Sequence, residues 1–366
     1  MKLTDREQAL IKLIKDNPFM SQQDMAVKLD MSRPALANLI SGLVKKGKII
    51  GRAYVLPREN NIVCIGGANI DRKMHLKGHL QMGTSNPVTS MQSVGGVARN
   101  IAENLGRLDN KVGLLTTAGK DMDWQAIVAA SEAYINLDDV ELLTHCSTGS
   151  YTAIMAEDGE LVLATANMDV YEELKPKILM KHDMALSTTP VIVIDLNCPK
   201  DTIEYIQQFA IARNVPFVII PVSSPKMDRM PETLQGVTWF ICNTDEAETL
   251  LNMKIKSEND YLKALPKILA LGAENIVITA GAKGVYAANK TLMPSHFSAK
   301  AVDHVEDVTG AGDAFVAAVI HAWLEKQPIE KSIEAGLINA KRTLESPFTV
   351  RPELTKELLE NELEEL

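Results

Sequence analysis

Nowhere in this 366-residue chain does an apolar run approach the roughly 18 to 20 residues that span a bilayer, so the sequence predicts no membrane partner. The opening MKLTDREQALIKLIKDN is charged and amphipathic rather than signal-like, and the chain is expected in the cytoplasm. Cysteine is scarce: Cys64, Cys146, Cys198 and Cys242 are far apart with no CxxC spacing, which argues against a disulfide framework or a zinc knuckle and for buried free thiols. His75 and His79 are four residues apart, but a glycine intervenes and no third ligand accompanies them, so no zinc site is expected.

What is present is a charge split. Residues 1–58 hold 11 Lys+Arg against 5 Asp+Glu, a balance of +6, while the remainder carries −15. Such asymmetry suggests a nucleic-acid-binding piece attached to an acidic globular body. In the first piece Thr4 is placed to cap a helix with apolar Ala9, Leu10, Leu13 and Ile14, which Asn17-Pro18 should stop. Ser21 opens a second helix, and Ser32, with Pro34 in the first turn, caps a third striped by Leu36, Leu39, Ile40 and Leu43, ending at Gly47. The KIIGRAYVL that follows reads as a hairpin. Three helices and a hairpin resemble a winged helix-turn-helix over residues 1–57 whose third helix enters the major groove. Ser32, Arg33, Ala35 and Asn38 would then face bases, and Lys45, Lys46, Lys48 and Arg52 phosphates, and residues 1–57 are expected to bind double-stranded DNA as part of a homodimer. A three-helix protein-contact module with a solvated basic face is the other reading.

From Asn61 the pattern changes. NIVCIGG, KVGLLTT, VIVIDLN, PFVIIPV, TWFICN and NIVITAG are short, β-branched and continuously apolar, alternating with helix-like segments. That predicts an α/β fold around a largely parallel sheet covered on both faces, over residues 58–366. Segments 72–94 and 147–168 fit poorly into that scheme. SYTAIMAEDGELVLATA reads as an antiparallel hairpin turning at Asp158-Gly159, and the two segments together are expected to form a small sheet over the site.

The stretch DVTGAGDAF, Asp307 to Phe315, places Gly310, Ala311 and Gly312 at a helix start, where unpaired N–H groups and the positive dipole end favour an anion. Asp313 follows in the first turn, where a carboxylate can take a proton from an attacking hydroxyl. A tight turn with an acid complementing the helix dipole would look the same.

Taken with the rest of the chain, the stretch resembles the D-T-x-G-A-G-D signature of PfkB (ribokinase-like) sugar and nucleoside kinases, with Val308 where threonine is frequent. The resemblance runs from about Asn61 to Leu344 and implies a three-layer α/β/α domain with a β-sheet lid. It implies that Asp313 is the catalytic base and that the amides of Gly310, Ala311 and Gly312 stabilise the transferred phosphate. In GGANID it makes Asn69 and Asp71 ribose ligands, in GGVARN it makes Gly95 and Gly96 a hinge and Asn100 a sugar ligand. In NTDE it assigns Asn243 and Glu246 to ATP and to Mg²⁺ held through water, though Asn followed by Glu at this spacing is also a helix capping box. TAGAKG would place Thr279, Gly281 and Gly284 beside the nucleotide, with Asn339 flanking adenine and Asp307 near a K⁺ ion.

Within the family, GGANID, GGVARN, Ser147 to Tyr151, Asn167-Met168 and PVS at 221–223 resemble pseudouridine kinases. Ribokinases typically carry lysine where Val97 stands, which speaks against free ribose. Lid hydroxyls of Ser147, Thr148, Ser150 and Thr152 are offered for a uracil ring, with Ser150 the expected substrate ligand. Ala98 and Ile220 depart from the pseudouridine kinase pattern, so inosine, guanosine, cytidine or ribose stays open as substrate. A regulator that keeps the kinase fold only to sense a ligand is the competing class; the retained Asp313 favours a working enzyme, because a sensor needs no base.

Overall fold

The computed structural model describes residues 3–17, 20–46, 48–49 and 61–364. Helices α1 (Asp5–Asp16), α2 (Gln22–Lys28) and α3 (Arg33–Lys45) form the amino-terminal module. Each starts where an oxygen-bearing side chain satisfies an otherwise unpaired N–H. Thr4 and Glu7 make a reciprocal capping box, Ser21 accepts from the Asp24 amide, and Ser32 accepts from the Ala35 amide. Leu10, Met25, Ala26, Leu36, Ile40 and Leu43 close a small core between the three. Apart from Lys48 and Ile49, the hairpin expected at residues 48–56, with Arg52, lies outside the described residues.

The body contains strands β1 (Ile62–Ile65), β2 (Asn69–Leu76), β3 (Val88–Gly95), β4 (Val112–Leu115), β5 (Thr117–Gly119), β6 (Glu141–Leu143), β7 (Gly149–Met155) and β8 (Leu161–Asn167). They are followed by β9 (Ile192–Asp195), β10 (Phe217–Ile220), β11 (Trp239–Asn243), β12 (Asn275–Thr279), β13 (Val285–Asn289) and β14 (Ser295–Phe297). Its α-helices are α4 (Val97–Arg107), α5 (Met122–Ser131), α6 (Pro176–Leu179), α7 (Asp183–Thr188), α8 (Lys200–Arg213), α9 (Thr244–Leu251), α10 (Glu258–Leu269), α11 (Ala311–Leu324), α12 (Ile329–Leu344) and α13 (Lys356–Glu364).

The eight-stranded sheet runs β14-β13-β12-β11-β10-β9-β1-β4. All six predicted apolar runs fall in it. Pairing is parallel from β4 across to β12 and antiparallel only at β13 and β14. Side chains alternate across a strand, so Ile192 and Ile194 pack in one layer with Ile203, Ile206 and Leu265, while Val191 and Val193 pack in the other with Ile101, Phe315 and Ile333. Both faces are therefore dry, and burying one such Val or Ile side chain contributes about 1.5–3 kcal/mol. Chain order reverses between β1 and β9, and in open α/β sheets ligands gather at that switch, beyond the carboxyl ends of the strands.

A second sheet, β3-β2-β7-β8, is the lid. β7 and β8 form the expected antiparallel hairpin, with Gly159 at φ +87° in its turn. β8 is exposed along its length. The two-stranded β5-β6 sheet and the β13-β14 edge carry no sequence signal as plain as those of the central strands.

Candidate active site

The first turn after β1 is built around a buried acid. Asp195, ending β9, accepts from the Gly67 and Ala98 amides through Oδ2, both at 2.9 Å, and from the Asn197 amide through Oδ1 at 2.8 Å. It joins β1, the start of α4 and β9 at the switch point. Tyr171 braces the same turn, its hydroxyl accepting from the Ala68 amide at 3.0 Å and donating to the Ala68 carbonyl at 2.7 Å.

From that turn β2 carries Asn69 and Asp71, whose side chains are joined by an Asn69 Nδ2 to Asp71 Oδ1 bond of 2.7 Å. Gly95 and Gly96 pass directly beneath. A side chain at Gly95 would collide with the Asp71 carboxylate, and Gly96, at φ +102°, presses on the Gly67 carbonyl, so only glycine lets the end of the lid strand approach this closely. Asn100, one turn into α4, donates through Nδ2 to Asp313 Oδ2 at 2.8 Å. Asn69, Asp71, Gly95 and Gly96 thus form one group at the end of the lid, near enough to the Asn100–Asp313 pair for the Asp71 charge to act on the Asp313 carboxyl.

Asp313 lies in the first turn of α11, behind Gly310, whose φ of +85° and contact with the Thr349 carbonyl exclude any side chain. Ala311 and Gly312 leave amides open to a neighbouring cavity, the anion-binding arrangement expected of a helix start. Burial raises the Asp313 carboxyl to about 7; the Asn100 bond opposes this, and the nearby Asp195 and Asp71 charges add to it. Asp71 is likewise pushed up to about 6 by burial, against the Asn69 bond and the charge of Lys73. A carboxylate near neutral pKa beside an anion site is equipped for general-base work.

The cavity beside Gly312 has a volume of about 640 Å³. Thr279, Gly281 and Gly284 edge it, Val285, Val302, Leu337 and Leu344 give it apolar walls, and Lys300 and Lys341 supply positive charge. An apolar slot leading to helix-start amides suits a nucleoside triphosphate, base inward and phosphates toward Asp313.

Asn243 pairs across β11 and β12 with Thr279 at the cavity edge, and Glu246 follows it in the first turn of α9. The capping-box alternative is realised: Glu246 Oε2 accepts from the Asn243 amide at 2.7 Å and Asn243 Oδ1 from the Glu246 amide at 2.9 Å. One carboxylate near the phosphates is what Mg²⁺ usually takes from a protein, the rest being water and phosphate oxygens. Glu246 Oε1, which makes none of the described bonds, fits that role.

Four expectations change. Asn339 does not line the cavity. It is fully buried, donating to Asn104 Oδ1 and the Ala314 carbonyl and accepting from Arg351 Nε; Leu337, Ala340, Lys341 and Leu344 are the α12 residues on the cavity side. Ser150 pairs with Ile70, whereas Tyr151 pairs with Asp71. Residues opposite each other on paired strands share a face, so Ser150 and Thr152 point away from the sugar side and Tyr151 toward it. Thr148 is occupied by Asp121 and Gly119, and Ser147 by Asn167. Asp307 has both oxygens engaged, Oδ2 with Lys73 Nζ at 2.6 Å and Oδ1 with the Thr309 amide and hydroxyl at 2.9 and 2.7 Å, so the charge beside it at the expected K⁺ position is the Lys73 ammonium. In the amino-terminal module, Arg33, Asn38 and Lys45 are exposed, but Lys46 pairs with Glu7 at 2.7 Å, tying α3 to α1.

The sequence reading passed over Asp195, Tyr151 and Lys73. Asp195 had a signal, an acid ending an otherwise apolar strand; the other two needed the lid register.

Comparison with known proteins agrees with this geometry. Residues 3–50 match the winged helix-turn-helix DNA-binding family model. A pseudouridine kinase from Escherichia coli is 29% identical over 80% of this chain and 93% of its own length, and a guanosine-inosine kinase from Exiguobacterium acetylicum is 28% identical over 78% and 95%. Among solved structures, a carbohydrate kinase from Agrobacterium tumefaciens superposes with a TM-score of 0.74 at 29% identity, covering 84% of this chain and 97% of that one. Since residues 59–354 match the pfkB family carbohydrate kinase model, the chain belongs to the pfkB family of carbohydrate kinases and is a phosphotransferase with an alcohol acceptor.

Proposed function

We propose that this kinase transfers the γ-phosphate of ATP to the 5′-hydroxyl of a nucleoside, with pseudouridine the favoured substrate. The observation that carries the reading is the pairing of Asp313 with Asn100, within electrostatic reach of Asp71 and its partner Asn69. Asn69 and Asp71 hold the ribose hydroxyls, Asp71 accepting from a vicinal pair. Asp313 takes the 5′-hydroxyl proton as that oxygen attacks the γ-phosphorus in line and the bond to the bridging oxygen of the departing ADP breaks, and the amides of Gly310 to Gly312 stabilise the charge on the transferred group. Glu246 would hold a Mg²⁺ ion through water, and the ion would supply charge neutralisation at the phosphate oxygens.

A nucleoside rather than a free sugar is supported by Tyr151, an aromatic ring 36% exposed on the Asp71 face of the lid, and by two relatives named as nucleoside kinases. Residues 1–57 bind double-stranded DNA in this reading, through a basic α3, in a cytoplasmic homodimer. Coupled ATP consumption over a panel of pseudouridine, uridine, inosine, guanosine, cytidine and ribose tests it. The expected result is the highest kcat/KM for pseudouridine; a preference for inosine or ribose overturns the substrate assignment. Asp313→Asn should lower turnover by about two to four orders of magnitude while nucleoside binding persists, and a fully active variant would displace Asp313 as the base.

A further inference from the structure

We infer that the Lys73 ammonium is the resident cation of the phosphate loop, so that this kinase works without K⁺ or any other monovalent ion. Asp307 opens the loop that ends in the Gly310–Gly312 amides. Its Oδ1 is taken by the Thr309 amide and hydroxyl, and its Oδ2 by Lys73 Nζ at 2.6 Å. A monovalent ion seated on Asp307 would share the carboxylate with the Lys73 ammonium, which already brings the same single positive charge there.

Lys73 reaches Asp307 because of the lid register. It lies two residues after Asp71 on β2, hence on the same face, and its partners across the sheet, Met91 and Ala153, offer no competing acid. Burial would raise the Asp307 carboxyl, but the Lys73 and Thr309 donors hold it below its ordinary value. The lysine is 45% and the aspartate 27% exposed, so the pair adds little to folding stability. Its consequence is electrostatic. A positive charge borne by β2 sits at the start of the loop whose amides would face the transferred phosphoryl group.

The test uses the full-length protein, Lys73→Met and Lys73→Arg in buffers containing K⁺, NH₄⁺, Na⁺ or tetramethylammonium at equal ionic strength. Wild type and Lys73→Arg should vary by no more than about twofold in kcat/KM across the four ions. In tetramethylammonium, Lys73→Met should lose about ten- to a hundredfold in kcat and regain most of it in K⁺ or NH₄⁺. Thermal unfolding gives a readout that needs no substrate. Lys73→Met should gain thermal stability when K⁺ replaces tetramethylammonium, and wild type should not. Strong activation of wild type by K⁺, or a fully active Lys73→Met in tetramethylammonium, overturns the inference. So does a defect that no ion repairs in activity or melting, which would make Lys73 a mechanical latch. If wild type phosphorylates nothing in the nucleoside panel, that reading fails, and the melting series still decides this one.

Discussion

Asn100 and Asp313, separated by 213 positions in the chain, are joined by a single 2.8 Å bond from the amide Nδ2 to the carboxylate Oδ2. The donor stabilises the charged form of a carboxyl that burial pushes up to about 7, so it sets the pH at which the base is available. kcat/KM should rise through about pH 7 and level off above it, because the deprotonated carboxylate is the active form. Asn100→Ala removes the donor and should move this ascending limb to higher pH. Asn100→Asp adds a like charge and should move it further. A pH–rate profile of the three proteins checks the order.

The same raised pKa has a stability consequence of definite sign. A carboxyl whose folded pKa exceeds its unfolded value binds more protons in the folded state, so stability falls as pH rises between the two values. For Asp313 that window runs from the ordinary value of 3.8 to about 7. Asp313→Asn, which cannot ionise, should therefore be more stable than wild type at pH 8, by on the order of 4 kcal/mol. The advantage should vanish below the ordinary value, where the wild-type carboxyl is protonated in both states. Denaturant melts at both pH values measure it; equal stability at pH 8 would place Asp313 in a better-solvated setting.

Much of this architecture is legible in the sequence. The six central strands announce themselves because a sheet covered on both faces needs unbroken apolar runs, and the helix start at Gly310 needs glycines that leave a mark in sequence. Lid-face assignments were not legible in the same way. A one-residue change of register flips every side chain to the other face, and nothing in GSYTAIM says which of Ser150 and Tyr151 turns toward the sugar; the pairing with β2 does. Asn339 was misplaced for the helical version of this reason, since residues 339 and 340 differ by about 100° around an α-helix. Lys73 and Asp307 are 234 positions apart, and only the folded lid brings them together.

Tyr151 should decide between nucleoside and bare sugar. As the one Phe, Trp or Tyr in segments 72–94 and 147–168, it is the ring those segments can offer as a stacking platform. Stacking of a base on an aromatic side chain is worth about 1–3 kcal/mol by alanine substitution. Tyr151→Ala should raise the nucleoside KM by about ten- to a hundredfold and leave any slow phosphorylation of ribose unchanged, whereas Tyr151→Phe should keep near-normal nucleoside KM. Equal losses with nucleoside and ribose would indicate a damaged lid rather than a lost platform.

The last prediction separates two adjacent lysines. Lys45 and Lys46 both suit phosphate contacts by charge, but Lys46 is held by Glu7 at 2.7 Å, and the Glu7 carboxyl is held below its ordinary value by that bond first and by the Thr4 amide next. Lys46 is committed to fastening α3 onto α1. Lys45 is exposed in the last turn of α3. In duplex binding by the full-length protein, Lys45→Ala should weaken affinity for all sequences alike and reduce the slope of log K against log salt by about one, as expected when one phosphate contact is lost. Lys46→Ala should leave that slope nearly unchanged and show its effect in the melting of the amino-terminal module. Arg33→Ala, at the exposed start of α3, should relax preference at one base position with little change in slope. If Lys46 proves to carry the salt dependence and Lys45 does not, α3 does not meet the duplex through its exposed face as oriented here. If no variant alters binding to any duplex at low salt, the module serves a protein contact instead.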